Sequence, residues 1–283
     1  MPNFLVIGAA KAGTTALYDY LGAHPDIYMS PLKETNFLAL EGHPLDFSGP
    51  GDSDYINKWS ITTLDEYCAQ FRGVTTERAV GEACPLYLYD PERVVIERIK
   101  KYVPDAKLIA MLRNPVDRAY SAFLHLYRDG REPLTEFGPA LDMEAERIAA
   151  GWEHIWHYKQ MGFYGRQLER YYSAFGRERM LVFLYNDLLT DAVGVMQTCY
   201  RFLGVDDAFV PDMTIRPNSA LELGDRKPPI LPEVREQLAR LYDEDISLLE
   251  RLICRDLSHW RMEPPRMENL PPVEVGETIS ATG

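Results

Sequence analysis

The stretch Phe4–Leu21 (FLVIGAAKAGTTALYDYL) limits what this chain can fold into more than any other. Phe4–Ile7 is a short apolar run, β-branched at Val6 and Ile7, and predicts a buried strand. Gly8–Thr15 (GAAKAGTT) follows, with small residues and two glycines that let the backbone turn tightly and approach a ligand. From Ala16 the chain reads as a helix with Leu17, Tyr20 and Leu21 on one face. A strand, a glycine loop and a helix N-terminus together make an anion site, because unpaired N–H groups and the helix dipole point at whatever sits there. Lys11 adds a full positive charge, and Thr14 and Thr15 add hydroxyl donors.

The spacing departs from a Walker A loop, which needs lysine directly after the second glycine and then Ser or Thr. Here Thr14 follows Gly13, and the lysine sits inside the loop at Lys11. That displacement argues against an ordinary NTPase. The plainer alternative is a tight strand-to-helix turn with an incidental lysine.

A second stretch repeats the arrangement. Lys107–Leu112 predicts a buried strand that ends at Arg113-Asn114-Pro115, and a helix from Val116 carries Asp117, Arg118 and Ser121. An arginine at the C-terminal end of a strand suits bidentate phosphate binding, and a serine in the second helical turn adds a donor. The alternative role for Arg113 is as a charge partner of Asp117. Lys33-Glu34, before the apolar Phe37-Leu38, is a candidate for acid–base work or a solvated ion pair.

Between these stretches the chain alternates strands and helices. Further strands are predicted at Ile27–Met29, Ala79–Cys84 and Met180–Tyr185. Helices are predicted at Leu64–Phe71, Pro91–Tyr102, Gly165–Phe175, Ala192–Leu203 and Glu233–Leu252. His24 reads as a structural capping residue. This pattern implies an α/β fold: a single domain with a central parallel sheet flanked by helices, ligands meeting the strand C-termini, and the Lys11 and Arg113 loops at the same edge. Residues 41–63 read as a long loop of the kind used in lids and binding sites. Trp152, His154, Trp156, His157, Tyr158, Phe163 and Tyr164 form an aromatic cluster that either lines a pocket or fills the core. Residues 211–232 read as an irregular link holding Arg216, Asn218, Arg226 and Lys227. Residues 262–283, rich in Pro and Glu and without periodicity, read as a poorly packed tail after a domain spanning 1–261.

Composition excludes several classes. The net charge of -13 disfavours nucleic acid as the main partner. No apolar run approaches the roughly 20 residues that span a bilayer. Four scattered cysteines without a CxxC pair, and no signal peptide, point to the cytoplasm. The histidines lack carboxylate or cysteine partners at metal spacing, so no metal is expected.

The motifs together are recognisable: the chain resembles the sulfotransferases that use 3′-phosphoadenosine-5′-phosphosulfate (PAPS). KAGTTAL at 11–17 is similar to their 5′-phosphosulfate loop, and RNPVDRAYS at 113–121 to their 3′-phosphate motif R-x-P-x-x-R-x-x-S. The segments 162–188, FLGV at 202–205 and RDLSHW at 255–260 extend the likeness across about residues 4–260. The resemblance implies that Lys11, Ala12, Gly13, Thr14 and Thr15 hold the 5′-phosphosulfate. It implies that Arg113 and Ser121 hold the 3′-phosphate, that Arg226 or Lys227 closes over it, and that Tyr185 contacts adenine. KETNF at 33–37 is similar to the segment bearing the catalytic glutamate of the heparan-type branch, which makes Glu34 the general base. Relatives of that branch carry Glu-Lys-Thr-Pro where this chain has Glu82-Ala83-Cys84-Pro85. The missing lysine and the acidic charge turn the expectation toward a bacterial enzyme with a small-molecule hydroxyl acceptor. Two rivals stand beside this reading: a P-loop-type nucleotide or small-molecule kinase, and a nucleotide-binding module without catalysis.

Overall fold

The computed structural model describes residues 1–213 and 227–261. Arg216, Asn218 and Arg226, and the tail expected at 262–283, lie outside the described residues. Five strands, β1 (Phe4–Gly8), β2 (Ile27–Met29), β3 (Ala79–Ala83), β4 (Lys107–Leu112) and β5 (Met180–Leu184), form one parallel sheet in the order β2-β3-β1-β4-β5. The chain is thus α/β with a central parallel sheet covered by helices, as its alternating pattern predicts.

The sheet is buried because both faces are apolar. Successive residues point to opposite faces. Leu5, Ile7, Leu108, Ala110 and Leu112 join one core cluster, while Phe4, Val6, Ile109 and Met111 join the other. The helices Pro115–Arg128, Tyr164–Phe175 and Pro232–Ile253 pack on the first side, and Thr14–Gly22 and Ala192–Leu203 on the second.

β1 is the middle strand, with β3 on one flank and β4 on the other. From β1 the chain first fills the β3 side and then crosses to the β4 side. The turns after β1 and β4 therefore diverge at a topological switch point, where the strand ends leave a crevice.

Some element boundaries differ from the expected ones. The helix expected from Pro91 begins at Val95, because the Asp90 carboxylate accepts the N–H groups of Val94 (2.8 Å) and Val95 (3.1 Å) and fixes the start there. β5 stops before Tyr185, which opens the short helix Tyr185–Thr190, and Asp187 accepts the Leu184 N–H at 2.9 Å. The strand expected to reach Cys84 ends at Ala83, and the helix expected to reach Phe71 ends at Ala69. The 41–63 loop contains one helical turn, Ile56–Trp59. The aromatic cluster divides: Trp156, Tyr158 and Tyr164 are core, whereas His154 reaches the cleft described below.

Candidate active site

A cleft of about 1190 Å³ opens over the C-terminal ends of β1, β3 and β4. Lys11, Gly13, Thr14, Thr15, Glu34, Arg113, Ser121 and Tyr185 all line it. Residues far apart in sequence thus meet at one sheet edge.

The two strand-to-helix turns serve this cleft differently. At the first, the helix Thr14–Gly22 begins after Gly13, and no side chain caps it. Its first N–H groups have no intrahelical partner and remain available to an anion. Gly13 has φ 93°, in the left-handed region, and an added Cβ would lie 2.9 Å from the Tyr185 ring. Glycine is required there by both the backbone and the ring. Lys11 itself holds a left-handed φ of 62°. Ala12 is fully buried and its N–H bonds to the Ala9 carbonyl at 3.2 Å, so it packs under the loop and is not part of the lining.

At the second turn the helix Pro115–Arg128 is capped by Asn114, whose Oδ1 accepts the Val116 N–H at 2.9 Å. This turn therefore offers side chains and not backbone. Arg113 donates from Nη1 to the Lys11 carbonyl at 3.3 Å, which links the two loops, and its guanidinium lies 5.1 Å from the centre of the Tyr185 ring. Asp117 pairs with Arg235 at 2.8 Å and not with Arg113. Most of the five guanidinium N–H donors of Arg113 thus have no partner among the described residues. Arg118 is fully buried and donates to the Tyr158 carbonyl, which ties the helix to the 152–164 segment.

Burial lowers the Lys11 pKa from 10.5 to about 8, opposed by the nearby Glu34 charge. Glu34 is half-exposed and its Oε1 accepts from Lys33 Nζ. Its backbone is held in place: φ is 63° at Glu34 and 58° at Asn36, and the Glu34 N–H donates to the Ala83 carbonyl at 2.9 Å. Glu82 supports the turn from below. This carboxyl is fully buried, and it accepts from Thr35 (2.5 Å), Tyr67 (2.5 Å) and Tyr87 (3.0 Å). Burial raises its pKa and the three hydrogen bonds oppose the rise.

His125 also lines the cleft and was not singled out in the sequence. It lies one helical turn beyond Ser121, on the same face, and that i,i+4 spacing was the available signal. Burial, then the Lys11 charge, lowers its pKa to about 4, so its imidazole is neutral at pH 7. Lys227 is exposed and lies over the Tyr120 ring at 5.2 Å, outside the cleft lining. His24 is structural, with Nδ1 accepting from the Asp26 N–H at 3.0 Å. No group of three or more His, Cys, Asp or Glu is placed to hold a metal among the described residues. No described helix is long and apolar enough to cross a membrane. All four cysteines are free.

The chain is 32% identical over 215 residues to the mouse protein "Bifunctional heparan sulfate N-deacetylase/N-sulfotransferase 1"; the match covers 72% of this chain but 22% of that protein. A crystal structure of a sulfotransferase from Alicyclobacillus acidocaldarius superimposes with a TM-score of 0.83 at 44% identity, covering 93% of this chain and 99% of that one. The sulfotransferase domain of the curacin biosynthetic pathway shares the fold at a TM-score of 0.55 and 17% identity, covering 89% of this chain and 98% of that one. The model describing the Sulfotransferase family matches residues 2–209, and the chain belongs to that family.

Proposed function

We propose that the protein transfers the sulfuryl group of PAPS to the hydroxyl of a small-molecule acceptor, with Glu34 as general base. The observation that carries this reading is the meeting, in one cleft, of an uncapped helix N-terminus, Lys11 and Arg113, with Glu34 beside them. The Gly13–Thr15 N–H groups, the Thr14 and Thr15 hydroxyls and Lys11 would bind the 5′-phosphosulfate, with Ala12 packed beneath the turn. Arg113 and Ser121 would bind the 3′-phosphate, and the Tyr185 ring would meet adenine. Arg226 or Lys227 would close over the 3′-phosphate; Lys227 rests on Tyr120, the residue before Ser121. The reading places the enzyme in a bacterial cytoplasm.

In the reaction the acceptor oxygen attacks sulfur as the bond from sulfur to the 5′-phosphate oxygen breaks, and the hydroxyl proton passes to Glu34. General-base action needs the carboxylate within about 3 Å of that hydroxyl. Lys11 and the loop N–H groups stabilise the charge that gathers on the leaving phosphate oxygen. As in phosphoryl transfer, most of the acceleration is positioning and electrostatics. The heparan-type relative acts, by its name, on a polyanionic glycan, but the lysine of the Glu-Lys-Thr-Pro motif is Ala83 here, which favours a small acceptor.

Two measurements test the reading. Calorimetry with 3′-phosphoadenosine-5′-phosphate (PAP), adenosine-5′-phosphate and ATP should show selective binding of the bisphosphate, weakened in Arg113→Ala. No preference for the 3′-phosphate would sink it. Glu34→Gln should lower kcat by about 10²–10⁴-fold while PAP affinity changes little; near-normal turnover would remove Glu34 as the base.

A further inference from the structure

Beyond Lys11, Glu34 and His125 the cleft continues to a wall unlike the nucleotide side. Tyr55, Ile56, Trp59, Leu86, Glu153 and Ile155 line it, with Arg131 among them. Tyr55 and Trp59 are 48% and 57% exposed, so two large rings stand open where most aromatics of this chain are packed. Rings and aliphatic side chains of this kind accept a flat or apolar body.

Among the described residues, every strong positive charge on this wall is already committed. Arg131 Nη2 lies 2.6 Å from Asp52 Oδ1 and 2.5 Å from Glu153 Oε1, and its Nε donates to the Pro50 carbonyl at 2.7 Å. Its guanidinium also packs 4.7 Å from the Tyr55 ring and 5.7 Å from the Trp156 ring. Asp52 cannot swing away, because it is fully buried and also accepts the N–H groups of Gly49 (2.8 Å) and Glu153 (2.9 Å). One guanidinium therefore answers two carboxyl groups. Lys33 is paired with Glu34, and Arg128 with Asp129 at 2.8 Å. Lys58 lies over the Trp59 ring at 5.0 Å and does not line the cleft. The histidines add no charge at pH 7, since burial lowers His125 to about 4 and His154 to about 3.

Resting on the sulfuryl-transfer reading, we propose that this half of the cleft binds an uncharged acceptor, a phenol or alcohol with an apolar body. We further propose that the Asp52–Arg131–Glu153 cluster excludes anionic ones. A carboxylate or sulfate entering here would lose its water, face Glu153 and find no free cation on the described wall. A neutral hydroxyl-bearing ring would meet Tyr55 and Trp59 and leave the cluster intact. The nucleotide side, with Lys11 and Arg113 outside any ion pair among the described residues, has the opposite character.

The test is calorimetric titration of the PAP-loaded protein with three phenols of similar size: 4-ethylphenol, tyramine and 4-hydroxyphenylacetate. The neutral phenol and tyramine should both bind, and the carboxylate at least about tenfold more weakly than either. Glu153→Gln should narrow that gap several-fold. Trp59→Ala, at an exposed site that does not threaten folding, should weaken all three alike and so keeps the test open if Glu153→Gln fails to fold. Equal or tighter binding of the carboxylate, or no binding of any of the three, would overturn the proposal. Failure of PAP itself to bind would instead overturn the donor reading, and this proposal with it.

Discussion

The two walls of the cleft both carry cations, but on only one of them are those cations left outside an ion pair among the described residues. Lys11 and Arg113 come from short contiguous turns at the ends of β1 and β4, and their described contacts are a backbone carbonyl, a ring and a neighbouring carboxylate's field. Arg131 comes from outside the sheet and is locked between Asp52 and Glu153. The same residue type stands outside any described ion pair in one place and is a structural tie in the other. What separates them is whether the fold has supplied a counter-charge. Burial raises the Glu153 pKa to about 7, and the Arg131 charge opposes the rise.

The comparison can be broken by experiment. The largest effect should come from Arg131→Ala, which leaves two buried carboxyl groups without their cation. A loss of about 3–5 kcal/mol in unfolding free energy is expected by chemical denaturation, with PAP affinity of the folded protein little changed. A variant that kept its stability but lost PAP would reverse the roles assigned to the two walls. Lys11→Ala should do the opposite, lowering kcat by about 10²–10³-fold with little loss of stability, as removal of a transition-state donor does elsewhere.

A pH series sharpens the contrast next. Free Lys11 loses its proton as pH rises through about 8, so PAP affinity should fall by about tenfold per unit above that value. Lys11→Arg, which stays charged, should flatten the profile. The sign for stability is reversed. Between about 8 and 10.5 the unfolded lysine binds more protons than the folded one, so the ligand-free protein should gain stability over that window. Thermal melts with and without PAP would separate the two trends. The smallest effect belongs to Lys33→Ala. The Lys33–Glu34 pair includes a half-exposed carboxylate, so its loss should change stability by only about 0–1 kcal/mol. A larger loss would show that the pair props up the Glu34 turn.

Much of the wall that carries Lys11 and Arg113 was legible in the sequence. The apolar runs at β1 and β4, each followed by a polar turn and a helix start, are local patterns, and parallel connectivity brings such turns to one edge. Less was legible where the chain competes with itself. Asp90 moved a helix start past Pro91 by capping Val94 and Val95, and Tyr185 left its strand to open a helix beside Gly13. The aromatic run at 152–164 could not be divided in advance, because core and cleft use the same side chains. His125 stands one turn from Ser121, but a lone histidine on a helix carries no chemistry until its neighbours are known.

By itself the sequence determined the parallel α/β layout, the loop that offers Lys11, and the family motifs that point to a sulfuryl donor, because each depends on residues close together in the chain. Only the tertiary structure decided which charges are free. Glu82 lies beneath the Glu34 turn, Asp52 and Glu153 hold Arg131, and Arg113 is left without Asp117; each depends on groups tens of residues apart. Charge is a property of a residue, but its availability is set by what the fold packs within a few ångströms of it, where desolvation and pairing act together.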